Sequence, residues 1–509
     1  ILYYVWLRFR KDRSVAGYVS WALLAALGLA SLGLAFLETT ANHDRAFYLL
    51  PSRFWELAAG ALLFQLHSNG AFLPKSESAP RLLMIAGSLL LGASFALADQ
   101  QAFPFPWAMV PVLATTLLLC GIAGTTDRSS LVHRFLGSSV MNYIGKLSYS
   151  LYLWHWPIAV LFRWTIGFST YWHLLLYLVA ALVLATVSYR YVETLVRSSQ
   201  LLLKQENWKT IVGGIAVLLI LFFAARFVVE LQPTISLSVT KDSHIWRSRR
   251  YEIDEPEQAP IMDPNIAGRR IFALGDSHTA AYRTMLHTVS TQLGVEVYEY
   301  EAGGCAVAGL LKPTSELVDC TPFYESSLRE ITDLAEPGDI LFLASLRMPE
   351  LSSRFALIDE AHELAEFTST EAVQDRQLAL EEASQLVDEF DTLGVHVLID
   401  APKPVLRAPP YRCSDWFNRM NPICSPGLTV NRDFLLEVRQ PVMDSLTTLQ
   451  HRHQNLYVWD PLYVLCEKEC SAYDDDGLPI FYDGDHLSAH GNRLLAPSFK
   501  EEILAIWRR

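Results

Sequence analysis

The chain has 509 residues, of which 51% are hydrophobic and 19% are charged. Soluble domains carry about 25% charged residues, so this composition excludes a wholly soluble protein and a disordered chain. The formal net charge is −13 and is unevenly placed, because residues 1–230 are net basic and residues 231–509 are strongly acidic. An acidic domain repels phosphate backbones, which also excludes a cationic nucleic-acid-binding protein.

The basic half contains apolar stretches long enough to cross about 30 Å of hydrocarbon as helices. Seven such stretches lie at 15–37, 48–66, 81–98, 107–124, 147–166, 171–190 and 210–230. Thirteen Lys and Arg residues fall in one set of connecting loops, and only three fall in the other set. Basic loops face the cytoplasm. Seven crossings of the membrane therefore place the residues after 231 on the side opposite the cytoplasm.

Two positions in the membrane half are candidate functional sites. Arg53 and Glu56 have the i, i+3 spacing of neighbours on one helix face, and charges in lipid are commonly functional. A purely structural ion pair is the alternative. His155 lies between Trp154 and Trp156, which fits either an interfacial aromatic belt or a role in handling an acyl group.

The cysteines suggest an oxidising compartment for the acidic half. Cys120 is alone in a predicted span and is interpreted as a small buried residue. An even number outside the membrane suggests disulfides, most simply between neighbours in sequence. These pairs are Cys305/Cys320, Cys413/Cys424 and Cys466/Cys470. A zinc site is the rival interpretation, but the spacings are irregular and no CxxC occurs.

After a polar linker at 232–266, strand-like and helix-like patterns alternate through 267–509. The predicted strands are 270–274, 295–300, 340–344, 395–399 and 456–459, and helical patterns include 279–293, 370–392 and 432–452. Such alternation predicts parallel βαβ units. We therefore expect an α/β, doubly wound, flavodoxin-like three-layer domain with its site at the carboxyl ends of the strands.

A candidate catalytic segment follows the first predicted strand. Residues 275–278 read GDSH, so Ser277 follows a glycine and opens a helix, where backbone N–H groups favour developing negative charge. An ordinary helix cap by Asp276 or Ser277 is the alternative interpretation. His278 is expected to be an ordinary residue of the first helical turn.

A second segment, 482–488, reads YDGDHLS and precedes the last predicted helix. Asp483 and His486 stand three residues apart in one turn, so this loop can supply a general base and the carboxylate that orients it. Together with Ser277 they form a predicted Ser-His-Asp triad. Asp485 is expected to be solvated, and His490 to be a surface or capping residue rather than a metal ligand.

These segments resemble an acyltransferase 3 membrane domain fused to a C-terminal SGNH-type esterase domain, as in bacterial polysaccharide O-acetyltransferases. GDSH at 275–278 is similar to the first SGNH block, and Asp483-x-x-His486 is similar to the last. The membrane half resembles the family at 50–60 (LPSRFWELAAG), 144–157 (IGKLSYSLYLWHWP) and 188–193 (SYRYVE). The resemblance implies an enzyme that moves acyl groups, expected to be acetyl from acetyl-CoA, across the bacterial inner membrane onto an envelope polysaccharide. The SGNH domain is then periplasmic, and no bound cofactor or metal is expected.

The chain also departs from the family pattern. Residues 1–231 contain about six spans and a linking helix, where the family has about ten helices, so we expect a partial, N-terminally truncated membrane domain. The third-block Gly-x-Asn has no match, since residues 344–347 read ASLR. The second-block glycine is either Gly303 or Gly304, beside Cys305, and Gly304 is the expected oxyanion residue.

Three hypotheses remain open from sequence alone. The chain is an acyltransferase, a membrane-tethered esterase that uses water as the acceptor, or a non-enzymatic protein, either an inactive truncated remnant or a glycan-binding scaffold. The same triad serves the first two. The acceptor is equally open between lipopolysaccharide O-antigen, peptidoglycan and an exported polysaccharide.

Overall fold

The computed structural model describes residues 13–68, 78–99, 102–125, 130–199, 207–248, 266, 268–466 and 469–509. The chain forms two compact units, Ile1–Tyr149 and Ser150–Arg509. The boundary between them falls inside one long helix, and each unit is described separately below.

The described residues of the first unit form helices joined by turns and loops. Its helices are α1 Arg13–Ala41, α2 His43–Tyr48, α3 Leu50–Ser68, α4 Ala79–Leu97, α5 Met109–Gly124, α6 Leu131–Leu136 and the first part of α7 Ser139–Thr165. Helices α4 and α5 pack closely through Gly87 and Gly121. A Cβ at Gly87 would lie 2.8 Å from the carbonyl oxygen of Ala114, and one at Gly121 would lie 2.7 Å from that of Pro80. Small residues therefore allow these two backbones to approach.

The second unit begins with the rest of α7, followed by α8 Tyr171–Ser188, a π-helical turn at Tyr189–Glu193, α9 Thr194–Ser198 and α10 Asn207–Ile235. Ser150 Oγ donates a 3.1 Å hydrogen bond to Glu193 Oε2. Glu193 also pairs with Arg197 at 3.0 Å. Two segments that resemble the acyltransferase family thus meet through a serine and a carboxylate.

Among the described residues, four helices are long and apolar enough to cross a membrane. They are Gly17–Ala41, Ala79–Leu97, Tyr171–Ser198 and Trp208–Ile235, and Met109–Gly124 is a shorter apolar helix. The predicted spans at 48–66 and 147–166 are also helical, but they carry charged and polar side chains such as Arg53 and Arg163. A multi-span helical membrane region is therefore confirmed, whereas the count of seven crossings stays a prediction.

The α/β domain contains seven strands in the described residues. They are β1 Arg270–Gly275, β2 Glu296–Glu301, β3 Ile340–Ala344, β4 His396–Asp400, β5 Thr429–Asn431, β6 Leu456–Trp459 and β7 Glu469–Ser471. Five strands form a parallel sheet in the order β2-β1-β3-β4-β6. This is the order of a flavodoxin-like sheet, which confirms the predicted fold class. The antiparallel pair β5–β7 was not predicted.

Helices cover both faces of this sheet. The α-helices in the described part of this domain are α11 Ser243–Trp246, α12 Ser277–Ala281, α13 Arg283–Leu293, α14 Thr321–Leu334, α15 Glu360–Phe367, α16 Thr370–Thr392, α17 Pro410–Cys413, α18 Arg432–Arg452, α19 Leu462–Leu465 and α20 Ala489–Trp507. One buried core contains Met285 and Phe499 from α13 and α20. The other contains Phe390 and Leu446 from α16 and α18. Two cores separated by one sheet make the three-layer arrangement.

Part of the predicted linker packs against the α/β domain. Ser238 Oγ and the Val239 backbone N–H donate to the two carboxylate oxygens of Asp415 at 2.7 and 2.8 Å. Trp246 is buried, with its ring near Tyr411 and Tyr473. Residues 236–248 are therefore an ordered part of the second unit, while most of 249–267 lies outside the described residues.

Candidate active site

The first site residue stands where β1 ends. A Cβ at Gly275 would overlap the backbone oxygen of Ala344, so only glycine lets the ends of β1 and β3 approach this closely. Asp276 then caps α12, with Oδ1 accepting the His278 backbone N–H at 2.9 Å. Its Oδ2 accepts the Leu346 N–H at 2.9 Å. These bonds fix Ser277 as the first, partly exposed residue of α12.

The structure brings the predicted Ser, His and Asp together. His486 Nε2 lies 2.8 Å from Ser277 Oγ, and His486 Nδ1 lies 2.9 Å from Asp483 Oδ1. An ionised carboxylate can only accept hydrogen bonds, so Nδ1 carries the proton and Nε2 is free to accept one from the serine. This arrangement is that of a serine nucleophile with its general base and orienting carboxylate.

Asp483 also organises the loop that carries His486. Its Oδ1 accepts the His486 backbone N–H at 2.9 Å and the Asp485 N–H at 3.3 Å. Its Oδ2 accepts hydrogen bonds from Arg354 Nη2 at 2.6 Å and Nε at 3.2 Å. Sequence reasoning missed Arg354. Its position in the loop after β3, at the carboxyl edge of the sheet, was the available signal.

Asp485 does not occupy the solvated position that the sequence predicted. Its Oδ1 lies 3.1 Å from His486 Nδ1, and its Oδ2 lies 3.3 Å from His278 Nε2. The His278 ring is buried and stacks on the His486 ring, and its Nδ1 donates a 2.9 Å hydrogen bond to Asp276 Oδ1. The expectation of a solvated Asp485 was wrong because folding packs the turn at 483–486 against α12, a contact that local spacing does not show. His278 is a residue of the first turn of α12, as expected.

These contacts change the ionisation of the site. Burial alone would lower the pKa of His486, but hydrogen bonds to Asp483 and Asp485 and the charges of both carboxylates raise it above its ordinary value. Burial would raise the pKa of Asp276, but His278 and the backbone N–H groups of Leu346 and His278 lower it well below its ordinary value. The site therefore favours a charged Asp276 and a strongly basic His486.

The predicted oxyanion region involves the loops that follow β2 and β3. Gly304 lies in the loop after β2 with a left-handed φ of 79°, a conformation that favours glycine. Ala302 donates its N–H to the carbonyl of Gly275 at 3.3 Å, which holds this loop beside the end of β1. Residues 344–347 stand where the family has its third SGNH block. Arg347 in this segment is buried and donates to Asp400 and to the Leu343 carbonyl, so it stabilises the sheet edge. The role of Gly304 remains a prediction.

His278, Asp485 and His486 bring potential metal-ligand atoms within 4.8 Å of one another. However, the two imidazole rings are parallel, with an interplanar angle of 3° and centroids 4.5 Å apart. Metals bind imidazole nitrogens through lone pairs in the ring plane, and lone pairs in two stacked planes do not converge on one ion. The geometry of these residues therefore favours hydrogen bonding over metal coordination. His490 pairs with Asp474 at 2.6 Å.

In the first unit, Arg53 and Glu56 form a two-bond ion pair, with Nε–Oε1 and Nη2–Oε2 distances of 2.9 and 3.0 Å. Arg53 also faces the rings of Phe47 and Phe103. It lines a cavity of about 640 Å³ together with His43, Asp44 and Asp99. An ion pair beside a cavity has the surroundings that a functional role requires, and that role remains a prediction.

In the second unit, His155 lies within α7, two residues before Pro157. Its Nδ1 lies 2.6 Å from the Tyr152 carbonyl and 3.2 Å from the Leu151 carbonyl. A ring nitrogen bonded to its own helix leaves only Nε2 for another partner. These contacts do not separate the interfacial interpretation from a role in handling an acyl group, and both stay predictions.

All six cysteines of the α/β domain are in disulfides. The pairs are Cys305–Cys320, Cys413–Cys424 and Cys466–Cys470, and Cys120 is free and buried. Cys305 directly follows Gly304, and Cys413 directly follows Arg412, which donates to the Arg354 carbonyl. Two of the three bridges therefore constrain the chain directly after these residues.

A flavodoxin-like sheet with a serine after its first strand and Asp-x-x-His before its last helix defines an SGNH-type hydrolase domain. The chain belongs to the family described as the SGNH domain fused to AT3 domains, which matches residues 245–501. The family described as the acyltransferase domain matches residues 1–190. The resemblance inferred from the sequence motifs is thus confirmed.

Curated relatives include two bacterial proteins. The O-acetyltransferase OatA of Staphylococcus aureus (strain NCTC 8325 / PS 47) is 30% identical over 186 residues, covering 34% of this chain and 30% of the relative. The peptidoglycan O-acetyltransferase OatA of Listeria monocytogenes is 25% identical over 224 residues, covering 39% of this chain and 36% of the relative. This chain therefore spans about a third of the length of each relative.

Proposed function

We propose that the chain is an O-acyltransferase in which the membrane half delivers an acyl group and the SGNH domain passes it to a polysaccharide hydroxyl. The observation that carries this proposal is the 2.8 Å contact between Ser277 Oγ and His486 Nε2, with Nδ1 held by Asp483. The two matched families and the names of the relatives support transferase over hydrolase chemistry.

The proposed reaction has two halves. Ser277 Oγ attacks the acyl carbonyl carbon while its proton moves to His486 Nε2. The bond to the leaving group breaks, and the leaving group takes that proton. The acceptor hydroxyl then attacks the acyl-serine ester, gives its proton to Nε2, and Ser277 regains a proton as its ester bond breaks. Asp483 stabilises the imidazolium in both halves.

The donor, acceptor and location belong to the same proposal. We infer acetyl from acetyl-CoA as the acyl source on family resemblance alone. The name of the Listeria relative favours peptidoglycan over lipopolysaccharide as the acceptor. Three disulfides and the basic loops of the membrane half support a periplasmic SGNH domain on a multi-pass protein of the bacterial inner membrane.

The full chain, purified in detergent, tests the proposal with 4-nitrophenyl acetate and a soluble glycan oligosaccharide. We expect release of nitrophenol and acetylated oligosaccharide, both lost in Ser277→Ala. The matched control is Ser326→Ala, an exposed serine on α14, which should keep both. Acetate without acetylated glycan would favour the membrane-tethered esterase. Unchanged activity in Ser277→Ala would exclude Ser277 as the nucleophile.

A further inference from the structure

A second histidine lies directly behind the first in the site. The side chain of His278 is only 2% exposed and lies between two carboxylates, with Nδ1 2.9 Å from Asp276 Oδ1 and Nε2 3.3 Å from Asp485 Oδ2. Because the side chain is so deeply buried, it cannot touch a substrate. Any effect that it has on the reaction must act through its neighbours.

The neighbour that it reaches is His486. Asp485 joins the two histidines, since its other oxygen lies 3.1 Å from His486 Nδ1. The two imidazole rings also stack in parallel, with centroids 4.5 Å apart. His486 Nδ1 thus faces Asp483 and Asp485, and its Nε2 faces Ser277. The face of its ring stacks on His278.

The electrostatic effects of these two neighbours oppose each other. A carboxylate within about 4–6 Å favours the imidazolium form of a histidine, and a positive charge disfavours it. Asp485 contributes to the raised pKa of His486. A positive charge on His278, whose Nδ1 lies 2.9 Å from Asp276 Oδ1 and whose Nε2 lies 3.3 Å from Asp485 Oδ2, would compensate the charge of Asp485.

We propose that Asp485 and His278 act as a pair of positioning residues for His486, Asp485 by holding Nδ1–H beside Asp483 and His278 by balancing the charge of Asp485. This inference rests on the proposed function, in which His486 must be neutral to accept the Ser277 proton. Without His278, the added carboxylate would hold His486 in its charged form.

Other charged groups also face this pair. They are Asp276 at the end of β1, Glu350 and Arg354 in the loop after β3, Lys403 in the loop after β4, and Asp483 in the last loop. These groups are unchanged in the variants below. A difference between variants therefore reports the removed side chain against a constant background.

The test is the pH profile of 4-nitrophenyl acetate hydrolysis by the full chain in detergent. Activity rises as His486 loses its proton, so the midpoint of the rise follows its pKa. Asp485→Asn should move the midpoint down by about 1 unit, and His278→Gln should move it up by about 1 unit. The matched control is His490→Gln, which breaks another histidine–carboxylate pair, with Asp474, and should leave the midpoint unchanged.

Opposite shifts in the two variants support the inference. Shifts in the same direction, or an unchanged midpoint in either variant, overturn it. Thermal unfolding and labelling of Ser277 by a fluorophosphonate establish that each variant is folded, and His278→Asn replaces His278→Gln if the latter does not fold. Complete loss of hydrolysis in both folded variants would also overturn a positioning role. Retained hydrolysis in Ser277→Ala would instead defeat the proposed function.

Discussion

The guanidinium of Arg354 donates a 2.6 Å hydrogen bond to Oδ2 of Asp483, whose Oδ1 faces His486. One carboxylate thus connects the loop after β3 with the turn that carries the general base. The Arg354 side chain is 52% exposed, whereas that of Asp483 is 6% exposed. Arg354 is thus an exposed residue that stabilises the buried Asp483. Its removal should therefore act on the reaction through the orientation of Asp483.

We expect Arg354→Ala to lower the rate of ester hydrolysis about tenfold, equivalent to about 1.4 kcal/mol in the barrier. Asp483 would keep its contact with His486 but lose a charged partner that fixes its orientation. The matched control is Arg407→Ala, which removes an arginine paired with Glu360 at 2.7 Å rather than with the triad. Steady-state kinetics of both variants measure the difference. Equal rates would show that Asp483 holds its position without Arg354.

Asp483→Asn should lower the rate far more than Asp485→Asn. Asp483 accepts two backbone N–H groups of its own turn and orients His486, and loss of an orienting carboxylate costs up to about 10⁴-fold in a serine protease triad. Asp485→Asn should mainly move the pH profile, as argued above. Comparison of kcat at the optimum pH of each variant separates these effects. A larger loss in Asp485→Asn would assign the orienting role to Asp485.

Thiol titration tests the disulfides of the SGNH domain. The chain has seven cysteines, of which only Cys120 is outside a disulfide. After unfolding without reductant, protein from an oxidising envelope should show about one thiol per chain, and after reduction about seven. Reduction should also lower the unfolding temperature, because native disulfides contribute about 2–4 kcal/mol each. Three or more thiols before reduction would contradict both the disulfides and the outward orientation.

Gly275→Ala should destabilise the SGNH domain by about 1–3 kcal/mol, because its Cβ would overlap the Ala344 carbonyl oxygen where β1 and β3 meet. The matched control is Gly303→Ala, since a Cβ at Gly303 would meet nothing within 4 Å. Denaturant unfolding of the purified chain measures both. Equal free energies of unfolding in the two variants would mean that the ends of β1 and β3 move apart without loss of stability.

Patterns along the chain were enough to predict the parallel sheet and the positions of the triad residues. Buried strands are short apolar runs, so β3 and β6 were predicted at their observed bounds, 340–344 and 456–459. Asp483 and His486 were recognisable because both lie in one turn. Ser277 was recognisable because a glycine, a serine and a helix start follow one strand. Each of these features depends on residues that are neighbours in sequence.

Only the tertiary structure placed Asp485, His278 and Arg354. Asp485 looked like a solvated residue of its turn, yet folding packs that turn against α12, and Ser277 and His486 meet although 209 positions separate them. Arg354 reaches Asp483 across 129 positions. A carboxylate changes the ionisation of whatever lies within a few ångströms. The ionisation of His486 therefore depends on which distant segments pack beside it, and no local spacing encodes those neighbours.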